Sequence, residues 1–226
     1  MSVIAIVGAG PGMGLAIARI FGSHGYAVGF LSRTPDKMKP LVSALRIDDI
    51  RAAVFAANVH DRTSIVSGLR AVKLHFGAID VLEYSPVDAT MPLAAATALS
   101  HENVQAHLDF QVHGALAAVD EVLPNMIAKR SGTILFTTGA SSIHPEKGHD
   151  MFANFALASA AVRNWAHALH VALAPKGVQV GNVAISEFSS RRPGATPDAI
   201  APLYWELHTQ RDQIERVFML ETGMAA

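Results

Sequence analysis

Four glycines near the start of the chain have the spacing of a phosphate-binding turn. The pattern G-x-G-x-x-G fails here, because Met13 stands where its third glycine would fall when it starts at Gly8 and Gly10. The pattern G-x-x-x-G-x-G fits, through Gly8, Gly12 and Gly14. Glycines allow a sharp turn and let a pyrophosphate approach bare N–H groups at the positive end of a helix. The spacing predicts a dinucleotide-binding turn, and a tight turn without a ligand is the alternative.

Three polar residues after the second apolar run would select the dinucleotide. Ser32, Arg33 and Thr34 stand there, and no carboxylate is present to bind the ribose of NAD. The guanidinium of Arg33 is a fixed positive fork, which suits a ribose 2′-phosphate, and the two hydroxyls add neutral donors. The sequence therefore favours NADP(H) over NAD(H). The alternative is that Arg33 is one more solvated arginine.

The elements that must position these residues form a β-α-β unit. Residues 3–7 are rich in Val and Ile and predict a buried strand, and a helical apolar pattern follows the glycines. A second strand is predicted at 27–31. Two parallel strands joined by a helix form a right-handed crossover. Since the glycines stand between the first strand and the helix, the turn lies at the carboxyl end of that strand.

The rest of the chain alternates strand and helix patterns. Further strands are predicted at about 51–57, 79–82, 133–137, 178–184 and 217–220, and helices at about 35–45, 61–77, 102–127, 152–174 and 196–210. Three loops, 83–100, 139–150 and 185–196, fall at one edge of the predicted sheet and are expected to form a pocket. The pattern predicts an α/β fold, a doubly wound parallel sheet of Rossmann type with helices on both faces in three layers.

Composition narrows the classes of function. The 226 residues are half hydrophobic, 16% charged and carry a formal net charge of −1. One domain over 1–226 is expected, with no basic surface for nucleic acid and no polybasic membrane anchor. The absence of cysteine excludes disulfides and thiolate metal sites. No apolar stretch has the length of a membrane span, so we expect a cytoplasmic protein.

Read in order, several motifs resemble those of the short-chain dehydrogenase/reductase family. They are the glycine turn, Ser32-Arg33, Asn58-Val59, Gly132-Thr133-Ile134 and the segment Leu-Ala-Pro-Lys-Gly-Val-Gln-Val at 173–180. The resemblance covers nearly the full length and implies an NADP(H)-binding oxidoreductase. It also implies that Asn58 and Val59 contact the adenine, and that Tyr84, Ser85 and Pro86 lie beside the cofactor.

The family's catalytic residues have no counterparts here. The family uses a serine, a tyrosine and a lysine, with an asparagine on the preceding helix. The aligned positions hold Gly139, Phe155, Ser159 and Gln111, in that order. A phenylalanine has no proton to give, and a serine carries no charge with which to lower the pKa of a phenol. The active site is therefore expected to be non-standard, with no catalytic residue assigned.

Other hydroxyls and phenols near the predicted pocket have two interpretations each. Thr138 and Ser141 flank the vacant serine position, where they either contact a substrate oxygen or cap a loop. Tyr84 is the nearest phenol, and the better interpretation is a packing residue whose hydroxyl is satisfied within the protein.

A group of ionisable residues lies in the second loop. His144, Glu146, His149 and Asp150 would suit a proton relay or a metal ion, but closely spaced polar residues in a loop are usually solvated. We predict no metal site.

Two functions remain open after these comparisons of motif and position. The first is an atypical NADP(H)-dependent oxidoreductase acting on a small molecule. The second is a catalytically silent dinucleotide-binding protein, either a redox sensor or a partner subunit. The helices at 102–127 and 152–174 pair across a two-fold axis in the resembling family, which implies a homodimer or homotetramer. The alternative is that both helices only cover the sheet.

Overall fold

The computed structural model describes residues 1–147, 150–186 and 194–219, and within them seven parallel strands form one sheet in the order β3-β2-β1-β4-β5-β6-β7. The strands are β1 (Val3–Val7), β2 (Ala27–Ser32), β3 (Ala52–Ala56), β4 (Val81–Tyr84), β5 (Gly132–Gly139), β6 (Val178–Ile185) and β7 (Glu215–Phe218). The strand order reverses between β1 and β4, and this is where doubly wound sheets open a crevice for ligands. The predicted fold class is confirmed.

Eight α-helices connect the strands in the described residues. They are α1 (Met13–Ser23), α2 (Pro35–Ile47), α3 (Arg62–Phe76), α4 (His101–His107), α5 (Gly114–Lys129), α6 (Ala153–Leu173), α7 (Pro197–Ile200) and α8 (Pro202–Gln210). Short 3₁₀ turns occupy Ala96–Ala98, Ala140–Ser142, Pro145–Lys147, Asp150–Phe152 and Ala174–Lys176. Across the described ranges, no helix combines the length and apolarity that crossing a bilayer requires.

A hydrophobic core lies on each face of the sheet. On one face, apolar side chains of the strands pack against α3, α5 and α6. On the other, they pack against α1, α2, α7 and α8. All five residues of β1 are buried because helices cover the strand on both sides, which explains its unbroken run of Val, Ile and Ala. The structure thus has the predicted three layers.

The predicted helix at 102–127 is interrupted by a π-helical segment. Residues Leu108–His113 form this segment between α4 and α5, and it buries Phe110 and Gln111. A π segment widens the turn by one residue, which a pattern of apolar spacing does not reveal. The predicted helix at 196–210 is likewise divided into α7 and α8.

The last strand lies two residues earlier than predicted. It spans Glu215–Phe218 rather than 217–220, and it pairs with β6 from Asn182↔Glu215 to Ile185↔Phe218. The apolar pattern misses its start because Glu215 is charged. That charge is accommodated by Arg163, whose Nε donates to a Glu215 oxygen at 2.7 Å. Residue 220 lies outside the described residues.

Candidate functional site

The glycine turn lies at the carboxyl end of β1, where it was predicted. Gly8 has a φ of +89°, and a Cβ atom added there would lie 2.2 Å from the Cα atom of Pro86. A glycine is therefore required by both the backbone conformation and the close approach of the next strand's loop. Beyond it, a Cβ added to Gly10 would meet nothing within 4 Å. The backbone at Gly10 thus faces open space, and α1 begins at Met13.

A groove of about 190 Å³ lies between the ends of β1 and β2. Its lining includes Gly8, Ser32, Arg33, Val59 and Pro86, so five of the predicted site residues lie together. Asn58 precedes Val59, and its amide oxygen accepts a hydrogen bond from the His60 backbone N–H at 3.2 Å. The groove is the place that the sequence predicts for an adenosine sugar.

Arg33 forms an ion pair that sequence reasoning missed. Its Nη1 atom donates to Oδ2 of Asp88 at 2.6 Å, and 46% of the arginine side chain is exposed against 5% for the aspartate. The Nε2 atom of His60 lies 3.6 Å from the same carboxylate. Hydrogen bonds from the hydroxyl and backbone N–H of Thr90, followed by Arg33, hold the pKa of Asp88 below its usual range. The Asp-x-Thr pattern of a local turn was the available signal for Asp88.

The main cleft, of about 700 Å³, begins at the glycine turn and reaches the loops that follow β4 and β5. Predicted site residues and aligned catalytic positions share its lining, which includes Gly8, Gly10, Gly12, Met13, Gly14, Tyr84, Ser85, Pro86, Gln111, Gly139 and Phe155. Its volume falls within the range of small-molecule sites.

The aligned catalytic positions make contacts with one another. The ring of Phe155 lies against Gly139, since a Cβ added to this glycine would be 2.9 Å from Cε1 of Phe155. The Ser159 hydroxyl is buried and donates to the side-chain oxygen of Gln111 at 2.8 Å. The cleft wall at these positions is therefore an aromatic ring backed by a neutral polar pair.

Two of the hydroxyls considered from the sequence already have partners within the protein. Tyr84 is buried, and its hydroxyl donates to the Phe110 carbonyl at 2.7 Å. Burial also raises the pKa of this phenol far above its usual value. The Thr138 hydroxyl is 3.0 Å from Nδ2 of the buried Asn182. The Tyr84 contact agrees with a packing residue whose hydroxyl is satisfied within the protein. The Thr138 hydroxyl is bound to Asn182 although Thr138 lines the cleft, so the choice between a substrate contact and a loop cap stays a prediction.

Glu83 is a buried acid that sequence reasoning also missed. It lies in β4 with none of its surface exposed. Its carboxyl accepts hydrogen bonds from Ser85 at 2.8 Å and from Thr137 at 3.0 Å. Burial raises the pKa of Glu83 to about 8, and these two hydrogen bonds oppose the shift. The available signal was an acid inside the apolar run at 79–84.

The structure describes only part of the ionisable loop. Nδ1 of His144 lies 3.2 Å from a carboxylate oxygen of Glu146. No group of three potential His, Cys, Asp or Glu ligands occurs among the residues that the structure describes. His149 and the side chain of Asp150 lie outside what is described.

A parallel sheet with a cleft at its strand-order reversal defines a Rossmann-type α/β protein. Within that class, the family model described as short chain dehydrogenase matches residues 2–196. The chain belongs to the short-chain dehydrogenase family.

Similar proteins are known from sequence and from solved structures. Oxidoreductase UcpA of Escherichia coli K12 is 27% identical over 183 residues, and the match covers 79% of this chain and 66% of UcpA. A short-chain dehydrogenase structure from Rhodopseudomonas palustris has a TM-score of 0.82 and 23% identity, with 97% of this chain and 98% of that chain covered.

A second solved structure carries a description relevant to the cleft. It is the NADPH-bound short-chain oxidoreductase of Pseudomonas aeruginosa PAO1, which is described as containing an atypical catalytic center. It has a TM-score of 0.84 and 18% identity, and the alignment covers 98% of this chain and 97% of that chain. At this identity the likeness shows the shared fold.

Proposed function

We propose that the protein is an NADP(H)-dependent oxidoreductase with a non-standard active site and a small-molecule substrate. The observation that carries the proposal is the continuous cleft of about 700 Å³ from the glycine turn to Gly139 and Phe155. At one end of the cleft, the open backbone of the glycine turn would bind the pyrophosphate. At the other end, Gly139 and Phe155 form an apolar wall against which the nicotinamide ring would lie. The adjoining groove brings Arg33 to the adenosine end.

The residues present fit a nicotinamide dinucleotide. The backbone at Gly10 is open to a ligand, and the turn from Gly8 to Gly12 precedes α1, whose first N–H groups favour anions. Ser32 and Arg33 would hold a ribose 2′-phosphate, Asn58 and Val59 the adenine, and Tyr84, Ser85 and Pro86 the neighbouring segment. Such a coenzyme supplies hydride when bound. NADPH in the Pseudomonas structure supports the preference for NADP(H).

The proton chemistry is where this chain differs from its family. Gly139, Phe155 and Ser159 offer neither a phenol nor an ammonium group at the aligned positions. Losing a positioned general acid costs a factor of about 10² to 10⁴ in rate. A non-standard group, or water, would then supply the proton during turnover. The atypical centre named for the Pseudomonas oxidoreductase is a parallel within the same fold.

A catalytically silent dinucleotide-binding protein, acting as a redox sensor or partner subunit, is the second candidate. The observation in its favour is the hydrogen bond from Ser159 to Gln111, because these two side chains bind each other at aligned catalytic positions. Phe155 against Gly139 further fills the place of the missing hydroxyls.

Coenzyme titration combined with a substrate screen tests both candidates. Fluorescence or calorimetric titration should show tighter binding of NADPH than NADH. Stereospecific oxidation of NADPH with a carbonyl or enone substrate would support the oxidoreductase. Folded protein saturated with NADPH but without turnover over a broad screen would favour the silent protein. Failure to bind either coenzyme would contradict both.

We further propose a homodimer or homotetramer in which α5 and α6 face a second copy of the chain. Leu116 and Leu157 are large apolar side chains of these helices, and 37% and 42% of their surfaces are exposed. Sedimentation of the purified chain tests this assembly. One domain over 1–226 and a cytoplasmic location stay predictions.

A further inference from the structure

Glu83 is an ionisable group in a place where the surrounding sheet is apolar. Its β1 and β5 neighbours in the sheet are Ile6 and Leu135, both fully buried. A carboxyl buried among apolar side chains loses the solvation that stabilises its charge. Burial accordingly raises the pKa of Glu83 to about 8, so that the carboxyl is mostly protonated at neutral pH.

Two hydroxyls connect this carboxyl to the cleft. Ser85 donates to Oε2 of Glu83 at 2.8 Å, and Thr137 donates to Oε1 at 3.0 Å. Ser85 and Thr137 both line the main cleft. Glu83 therefore lies one hydrogen bond beneath the surface that a ligand would contact.

The two hydroxyls differ in their other partners. The Thr137 oxygen is also 2.6 Å from the hydroxyl of Tyr204 on α8, whose own pKa is raised by burial and by the charge of Glu83. Tyr204 is thus the titratable group that faces this network from α8. Within the described residues, the Ser85 hydroxyl makes one side-chain hydrogen bond, to Glu83. When neutral Glu83 donates to the Ser85 oxygen, the Ser85 proton is left to point into the cleft.

We propose that Glu83 holds a proton for the cleft and passes it through Ser85 to the oxygen atom of a bound carbonyl ligand that is reduced by hydride, which a nicotinamide coenzyme would supply. This inference rests on the proposed function and supplies the proton that Phe155 and Ser159 cannot. The Ser85 hydroxyl proton moves to the ligand oxyanion, and the Glu83 proton moves to the Ser85 oxygen. A neutral alcohol, an intact Ser85 hydroxyl and a Glu83 carboxylate result, so protons and charge balance. Ser85 is the catalytic residue, and Glu83 is a positioning residue that acts through it.

Infrared difference spectroscopy of the full chain tests the protonation state without requiring turnover. The carbonyl-stretching band of a protonated carboxylic acid should be present in the wild type at neutral pH and absent from Glu83→Gln. It should disappear with a midpoint of about pH 8. Ser85→Ala removes a hydrogen bond that favours the carboxylate, so the midpoint should rise, and Ser85→Thr should return it. A midpoint at the usual carboxyl pKa of 4.5, or one unaffected by Ser85, would overturn the inference.

The pH profile of NADPH oxidation with a substrate from the screen tests the proton transfer itself. The kcat of carbonyl reduction should fall as pH rises through about 8, because Glu83 loses its proton. Glu83→Gln and Ser85→Ala should each lower kcat by about tenfold or more with little change in KM, and Ser85→Thr should restore it. Glu121→Gln is the matched control, since this carboxyl on α5 is paired with Lys73 instead of lining the cleft.

The outcomes separate this inference from the function on which it rests. Turnover by Glu83→Gln at the wild-type rate and with the wild-type pH profile would refute the inference and leave the oxidoreductase intact. A wild type that binds neither coenzyme would refute the proposed function, and the reaction step would fall with it. A Glu83 midpoint of about pH 8 that shifts when NADPH enters the cleft would support both.

Discussion

Replacing Arg33 with alanine should weaken the binding of NADPH and leave that of NADH nearly unchanged. The guanidinium lies in the groove where we propose that the adenosine binds, and 46% of its side chain is exposed. Because only NADPH carries a 2′-phosphate, the removed charge acts on one coenzyme alone. The change therefore separates the selection of a coenzyme from the ability to bind any dinucleotide.

The magnitude follows from the kind of contact and from the partner that Arg33 already has. A hydrogen bond to a charged group contributes about 1.5–3 kcal/mol. Exposure favours the lower end of this range, because solvent and salt screen the charge. Arg33→Ala also leaves Asp88 as an unneutralised carboxylate at 2.6 Å from the former guanidinium position. We expect a loss of about 10- to 30-fold in NADPH affinity, or about 1.4–2 kcal/mol, and about twofold or less for NADH.

Asp88→Asn distinguishes attraction by Arg33 from repulsion by Asp88. It removes the carboxylate that competes with a phosphate for Nη1 of Arg33, so NADPH affinity should rise by about threefold. In the Arg33→Ala background it should recover part of the loss, because the remaining negative charge is gone. The gain should shrink as ionic strength increases.

Calorimetric titration of both coenzymes at two salt concentrations provides the measurement. Arg19→Ala is the matched control, since 45% of this side chain is exposed and it pairs with Asp48 on the α1 side of the sheet. Equal losses for NADPH and NADH in Arg33→Ala would contradict the assignment of the groove. An unchanged NADPH affinity would contradict the role of Arg33 in coenzyme selection.

Three further predictions concern the free energy of unfolding of variants at the site. Gly8→Ala should lower the free energy of unfolding by about 2 kcal/mol or more, because φ is +89° and the new Cβ meets Pro86. Gly10→Ala should lower it by about 0.5–1 kcal/mol at most, because a Cβ there meets nothing within 4 Å. Urea unfolding of the two variants measures the difference. Tyr84→Phe should cost about 0.5–1.5 kcal/mol by removing the buried hydrogen bond from the Tyr84 hydroxyl to the Phe110 carbonyl, and equal urea midpoints would contradict this. Because folded Glu83 keeps a proton that the unfolded chain releases, the free energy of unfolding of the wild type relative to that of Glu83→Gln should fall between pH 4.5 and about 8 by up to about 1.4 kcal/mol per pH unit, as urea titrations at several pH values would measure. His208, whose pKa is lowered by burial to about 4, raises stability between pH 4 and 6.5 in both proteins and cancels from this difference.

The parts of the fold that were predictable depend on local signals. The unbroken apolar run at residues 3–7 predicts β1. The Asp61 side chain caps α3, since it accepts a hydrogen bond from the backbone N–H of Thr63 at 2.8 Å. The start of β7 was mispredicted because Glu215 interrupts the apolar pattern and is paired across the fold with Arg163. A strand whose charge is neutralised by a distant residue carries no local hydrophobic signal.

The candidate site shows the same division between local and distant signals. The glycine turn and Arg33 could be proposed as coenzyme contacts from the sequence, because their spacing and position are those expected of a dinucleotide site. Asp88 was not, because its pairing with Arg33 joins residues 55 positions apart. The hydrogen bond from Thr137 to Glu83 likewise spans 54 positions. Neither pairing changes the hydrophobic periodicity of the sequence. The charged and hydrogen-bonded contacts of the site can therefore be identified only from the folded structure.

Among the described residues no cation is paired with the Glu83 carboxyl, and an unpaired buried acid destabilises the centre of a parallel sheet. An apolar residue at position 83 would pack between the helices without losing solvation, and two hydroxyl donors offset only part of that loss. Glu83 lies beneath the cleft whose aligned catalytic positions hold Gly139 and Phe155, and Ser85 connects the acid to that cleft. A group that lowers stability at the floor of a candidate active site, and that keeps a proton at neutral pH, is better explained by proton chemistry than by packing.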